Sequence, residues 1–95
     1  MLSGMARIRS DAAIHIGAII ADKRKERGLT QDQLAAKTMI ESSNIRSYES
    51  GRSLPGIRSV VRLADGLEIE PGELVDGLTI DMFPPTESDG RRGPR

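Results

Sequence analysis

The sequence contains no cysteine and no tryptophan, and only one histidine (His15), one tyrosine (Tyr48) and one phenylalanine (Phe83) in 95 residues. Without cysteine there is no disulfide framework and no thiolate metal site, which fits a reducing cytoplasm. A lone histidine cannot assemble a zinc site, and no nucleophile–base–orienter set is visible, so neither metal, cofactor nor enzymatic activity is expected. Two aromatic side chains are too few for the stacking platforms that hold single-stranded nucleic acids. No apolar run approaches the roughly 18 residues that span a bilayer, and the N-terminus lacks the apolar stretch of a signal peptide. A membrane role is therefore not expected.

What the sequence does hold is an uneven charge. The net charge is zero, yet Met1–Arg62 carries eleven Lys/Arg against six Asp/Glu. From Leu63 to Gly90 there are eight acidic residues and no basic one, and Arg91, Arg92 and Arg95 then return positive charge at the end. A basic front half suits a polyanionic partner, and an acidic back half suits solvent or a protein partner. Pro84, Pro85, Gly90, Gly93 and Pro94 leave the end with little to bury. The expected organisation is a flexible arm over 1–10, one domain over 11–78 and a largely disordered tail over 79–95. A folding unit of about 65 residues has a marginal core, which favours self-association.

The pattern is all-α. Ser10 or Asp11 can cap a first helix carrying Ile14, Ile16, Ile19 and Ile20, and Gly28 can close it. Its charged end, Lys23–Arg27, reads as a solvated face, and His15 as a surface residue. Thr30-Gln31-Asp32-Gln33 is a capping-box pattern for a second helix over about Gln31–Thr38, with Leu34 and Ala35 inward. A third helix begins near Ser42, carries Ile45, Tyr48 and Glu49 on one face, and stops at Ser50-Gly51. Pro55-Gly56 opens a fourth, with Ile57, Val60, Val61, Leu63, Ala64 and Leu67 as its apolar set. Glu70-Pro71 starts a short fifth, anchored by Leu74, Val75 and Leu78.

Two short helices joined by a tight turn and covered by others are the arrangement that presents a helix to the major groove of duplex DNA. Where the two helices cross, a small residue must meet a branched one, and Ala35 and Ile45 supply that pair. The start of the second helix must offer polar groups to a phosphate, as Thr30 and Gln31 can. The outer face of the third must reach base edges, and Ser42, Ser43, Arg46 and Ser47 lie there.

At these residues the chain resembles the lambdoid-phage repressor and Cro-type helix-turn-helix proteins, also called the xenobiotic-response-element family. The resemblance runs from Ile16-Gly17 through Arg24, along Gly28-Leu29-Thr30-Gln31-Asp32-Gln33-Leu34-Ala35 and Ile45-Arg46-Ser47-Tyr48-Glu49-Ser50-Gly51-Arg52, to Pro55, Leu63-Ala64 and Leu67–Leu74. It implies a compact five-helix domain. It also implies that Gln31 contacts a phosphate and braces the third helix, that Ser42, Ser43 and Ser47 read bases, and that Arg52 clamps the backbone. Arg24 and Glu49 match an ion pair that ties the first helix to the third. Departures fall at the turn, where Met39-Ile40-Glu41 replaces the usual glycine and small cap. A non-glycine in a left-handed turn costs about 1 kcal/mol. Glu41 is a poor cap, which leaves Ser42 as the alternative and the register of the third helix open by one residue. Lys23 and Glu70 stand where the family prefers leucine and serine.

The resulting expectation is a sequence-specific, double-stranded-DNA-binding regulator, a repressor, acting as a homodimer on a near-palindromic site. Base-reading candidates are Ser42, Ser43, Arg46 and Ser47; phosphate candidates are Thr30, Gln31, Asn44, Ser50 and Arg52; Arg24 and Glu49 form the structural ion pair. The expected dimer surface is the fifth helix and the segment after it, where Leu74, Val75, Leu78, Ile80, Met82 and Phe83 cluster. The alternative is an antitoxin-like adaptor that binds a protein through its acidic C-terminal part and regulates itself through the helix-turn-helix.

Overall fold

The helices begin and end where local chemistry satisfies their open backbone groups. In a computed structural model that describes residues 10–84, α1 spans Asp11–Glu26, α2 Gln31–Thr38, α3 Ser42–Glu49, α4 Ile57–Leu67 and α5 Pro71–Leu74. No strand occurs among the described residues. The arm expected over 1–10, apart from Ser10, and the part of the tail beyond residue 84 lie outside the described residues.

Ser10 caps α1, its Oγ accepting from the Ala13 amide at 3.0 Å. Thr30 and Gln33 form the reciprocal box at the start of α2: the Gln33 amide donates to Thr30 Oγ1 at 3.0 Å, and the Thr30 amide donates to Gln33 Oε1 at 2.8 Å. These bonds occupy orphan donors of the first turn. Met39 closes α2 with φ 61°, taking the left-handed conformation that glycine usually fills. Its side chain is 80% exposed, so no packing compensates the strain.

The helices enclose one apolar core. Ile20, Leu34, Ile45, Leu63, Leu67 and Leu74 are its largest fully buried side chains. α1 packs on α3, α2 on α3 and α4, and α4 on α5. Thr38 is buried too, and its hydroxyl donates to the Leu34 carbonyl at 2.8 Å, so it is not stranded.

On α1 and α4, three apolar residues expected inside are outside. Ile57 is 81% exposed, Val61 49% and Ile14 47%. On α4, Val60, Leu63, Ala64 and Leu67 already fill the core-facing stripe, and Val61 sits about 100° round the helix from Val60. In the fifth-helix set, Leu74 is fully buried and Leu78 packs against the core, whereas Val75, Ile80 and Phe83 remain exposed. The start of the expected tail holds a 3-10 turn over Ile80–Met82, preceded by Thr79, whose hydroxyl donates to Asp81.

Candidate nucleic-acid interface

α2 and α3 cross where Ala35 meets the core containing Ile45, both buried. That crossing turns the opposite flank of α3 outward. Ser43, Asn44 and Arg46 are exposed there, Ser42 and Ser47 half-buried. Ser43, Arg46, Ser47, Ser50 and Arg52 line one shallow depression of about 420 Å³. The fold therefore brings three of the four base-reading candidates together with two phosphate candidates. Ser42 lies off this depression, toward α2.

The register of α3 is settled by main-chain bonds. The amides of Asn44 and Ile45 donate to the Glu41 carbonyl at 2.9 and 3.1 Å, which makes Glu41 the cap residue. Its side chain makes no capping bond. Ser42 is the first helical residue rather than an alternative cap, because its hydroxyl is used elsewhere: Oγ donates to Asp32 Oδ1 at 2.7 Å. The same Asp32 oxygen lies 3.8 Å from Arg46 Nη2.

Ser47 is also engaged. Its Oγ lies 2.9 Å from Ser53 Oγ, and its carbonyl accepts from the Arg52 amide at 3.0 Å and from Ser50 Oγ at 3.1 Å. Gly51, at φ 81°, lets the chain reverse there, where a Cβ would lie 2.9 Å from Ile14 Cγ1. Arg52 leaves this turn with its side chain exposed beside α3.

Behind the exposed flank, a polar network fixes α3 against α1 and α2. Arg24 Nε donates to Glu49 Oε2 at 2.7 Å and Nη2 donates to Oε1 at 2.9 Å, while Nη1 donates to the Leu29 carbonyl at 2.8 Å. The side chains are 13% and 7% exposed. Hydrogen bonding to Glu49 outweighs desolvation and holds the Arg24 guanidinium above its ordinary pKa. Gln31 Nε2 donates to Glu49 Oε1 at 3.0 Å, joining α2 to the same carboxylate. The Thr30 hydroxyl oxygen accepts within the capping box, and its proton remains available to a phosphate.

Two residues of the site escape sequence reasoning, Asp32 and Ser53. Asp32 reads as one more polar residue of a capping box. Only its position opposite the first turn of α3 gives it partners. Among the described residues, no group of three His, Asp or Glu side chains is placed to hold a metal ion, and no helix is long and apolar enough to cross a membrane.

A family model described as helix-turn-helix matches residues 20–74. The chain is 40% identical over 55 residues to the cryptic phage CTXphi transcriptional repressor RstR of Vibrio cholerae serotype O1, an overlap covering 58% of this chain and 49% of RstR. It is 37% identical over 49 residues to the ImmF control region 10 kDa protein of Bacillus phage phi105, covering 52% and 54%. The match thus spans about half the length of each relative. Among solved structures, the restriction-modification controller protein C.AhdI from Aeromonas hydrophila superposes with a TM-score of 0.64 at 29% identity, over 65% of this chain and 94% of C.AhdI.

Proposed function

The chain belongs to the helix-turn-helix family, whose members are DNA-binding transcriptional regulators and not enzymes, and we propose that it is a cytoplasmic repressor that inserts α3 into the major groove of a near-palindromic operator. The observation that carries this reading is the depression formed by Ser43, Arg46, Ser47, Ser50 and Arg52 on the outer flank of α3. It combines short hydroxyl groups, which suit base edges at close range, with two guanidinium groups, one for a base edge and one for the backbone. Thr30 and Gln31 at the start of α2, with Asn44, Ser50 and Arg52, supply the phosphate contacts. Arg24 and Glu49 hold the reading helix in place. The DNA-binding domain is the segment 11–78, flanked by an arm and a tail.

A single helix reads only four or five base pairs, too little for a useful specificity ratio in a genome. The operator is therefore bound by two copies on half-sites one turn apart. Val75, Ile80 and Phe83, exposed beyond the core-closing Leu74, form the apolar surface through which the copies meet.

The test is selection of bound sequences from a random duplex pool, followed by titration of the best sequence across salt concentrations. A single enriched motif with two-fold symmetry is expected, with affinity falling steeply as salt rises, because phosphate neutralisation releases counterions. Failure to enrich any sequence removes the proposal.

A second reading, the adaptor, draws on an open groove of about 580 Å³ between α1 and α5. Ile19, Lys23, Glu70, Gly72, Glu73 and Asp76 line it. Its carboxylates suit a basic segment of a protein partner. Co-purification from the native cell, repeated with Glu70 and Asp76 changed to lysine, discriminates the two.

A further inference from the structure

We infer that Asp32 is a specificity-determining residue, which positions Ser42 and Arg46 of the reading helix and penalises DNA that those two side chains do not fit. The inference rests on the DNA-binding reading above. Asp32 is the second residue of α2 and is exposed. Its Oδ1 accepts from Ser42 Oγ at 2.7 Å and lies 3.8 Å from Arg46 Nη2. Ser42 and Arg46 are four residues apart, so they stand one above the other on the same face of α3. One carboxylate oxygen from α2 thus spans a full turn of the reading helix.

Three consequences follow from the chemistry. Ser42 commits its only proton to Asp32, so it faces DNA as an acceptor and favours the amino groups of cytosine or adenine in the major groove. Arg46 is attracted weakly toward the same carboxylate before DNA arrives, which biases its guanidinium toward the α2 side of that face. A carboxylate on a face meant for a polyanion also repels phosphate, whatever the sequence. Asp32 therefore weakens binding to all DNA and restores it only where Ser42 and Arg46 find their bases, which is selection by an added repulsion.

A purely structural role does not account for this arrangement. The Asp32 and Arg46 side chains are 76% and 56% exposed, and ion pairs so exposed contribute little to stability. The neighbouring Gln31–Glu49 bond, by contrast, is partly buried and braces the fold.

The experiment compares the full chain with Asp32→Ala, Asp32→Asn and Asp32→Glu. Each is titrated against the sequence recovered by selection and against a scrambled duplex, with the thermal midpoint measured in parallel. Asp32→Ala and Asp32→Asn are expected to bind scrambled DNA a few-fold more tightly and to lower the specific-to-scrambled ratio by about tenfold, the scale of one misread base pair. Asp32→Glu should recover part of the ratio. In an Arg46→Ala background, Asp32→Ala should change the ratio by much less than it does alone. A ratio within twofold of the parent protein, or equal losses on both duplexes, overturns the inference. A parent protein that binds neither duplex overturns the DNA-binding reading itself, an outcome seen before any variant is made.

Discussion

Arg24 and Glu49, 25 residues apart in the chain, meet in a two-pronged ion pair whose distances are 2.7 and 2.9 Å. Gln31 adds a third bond to the same carboxylate. The pair anchors the end of α3 to α1, so α3 is oriented by a polar lock as well as by the core.

Removing one partner strands the other. Glu49→Ala and Arg24→Ala are each expected to destabilise the fold by about 3 kcal/mol, the lower end for buried pairs, since Arg24 keeps some contact with solvent. Replacing both by methionine and leucine should cost less than either single change. Urea unfolding followed by circular dichroism measures this, and single losses below about 1 kcal/mol would place the pair with ordinary surface pairs.

Gly17 marks the place where α1 touches the end of α3. A Cβ there would press on the Tyr48 carbonyl oxygen and lie 2.9 Å from that of Glu49. Main chain cannot yield as a flexible side chain does. Gly17→Ala should therefore lose about 2 kcal/mol net, overpacking outweighing the roughly 1 kcal/mol that alanine gains in a helix. Gly72, with nothing within 4 Å, provides the contrast: Gly72→Ala should be neutral or slightly stabilising. Equal thermal midpoints for the two variants would refute the close approach.

Met39 carries strain that glycine relieves. With φ 61° and an exposed side chain, Met39→Gly should stabilise the fold by about 0.5–1 kcal/mol, since the left-handed conformation costs a non-glycine residue about 1 kcal/mol. Stability measured by denaturant midpoint should rise; a fall shows that the methionine side chain holds something the turn needs.

Base-edge and phosphate contacts separate in a competition assay. Arg46→Ala and Ser43→Ala should alter which operator variants are preferred, while Gln31→Ala and Arg52→Ala should weaken binding to all of them, Arg52→Ala lowering the salt slope by about one. Uniform losses for all four variants would mean that the reading face lies elsewhere.

Assembly has its own measurement. Light scattering at micromolar protein should report a dimer, and Val75→Glu with Ile80→Glu should convert it to a monomer with weaker operator binding. Ile57→Glu on α4 should leave the dimer intact. A parent protein that stays monomeric and binds DNA one-to-one, with a footprint under one helical turn of about 34 Å, removes the dimer and leaves the helix-turn-helix standing.

The ends of the helices were legible in the sequence because they depend on neighbours within four residues. Ser10, the Thr30–Gln33 box, and the glycines at 28 and 51 act through bonds and dihedral angles that local chemistry dictates. The all-α class, the pairing of Ala35 with Ile45 and the residues along the outer flank of α3 follow from the same periodicity. Tertiary structure decided what periodicity leaves open. Ile57 and Val61 satisfy an apolar pattern, yet the stripe of Val60, Leu63, Ala64 and Leu67 fills the available core and leaves them outside. Ser42 could have capped α3, until the approach of α2 set Asp32 within 2.7 Å of its hydroxyl. Ser47 is a base-reading candidate in sequence and a half-buried partner of Ser53 in the fold. Each of these depends on how two helices cross, and that angle is set by the packed core as a whole rather than by any stretch of chain.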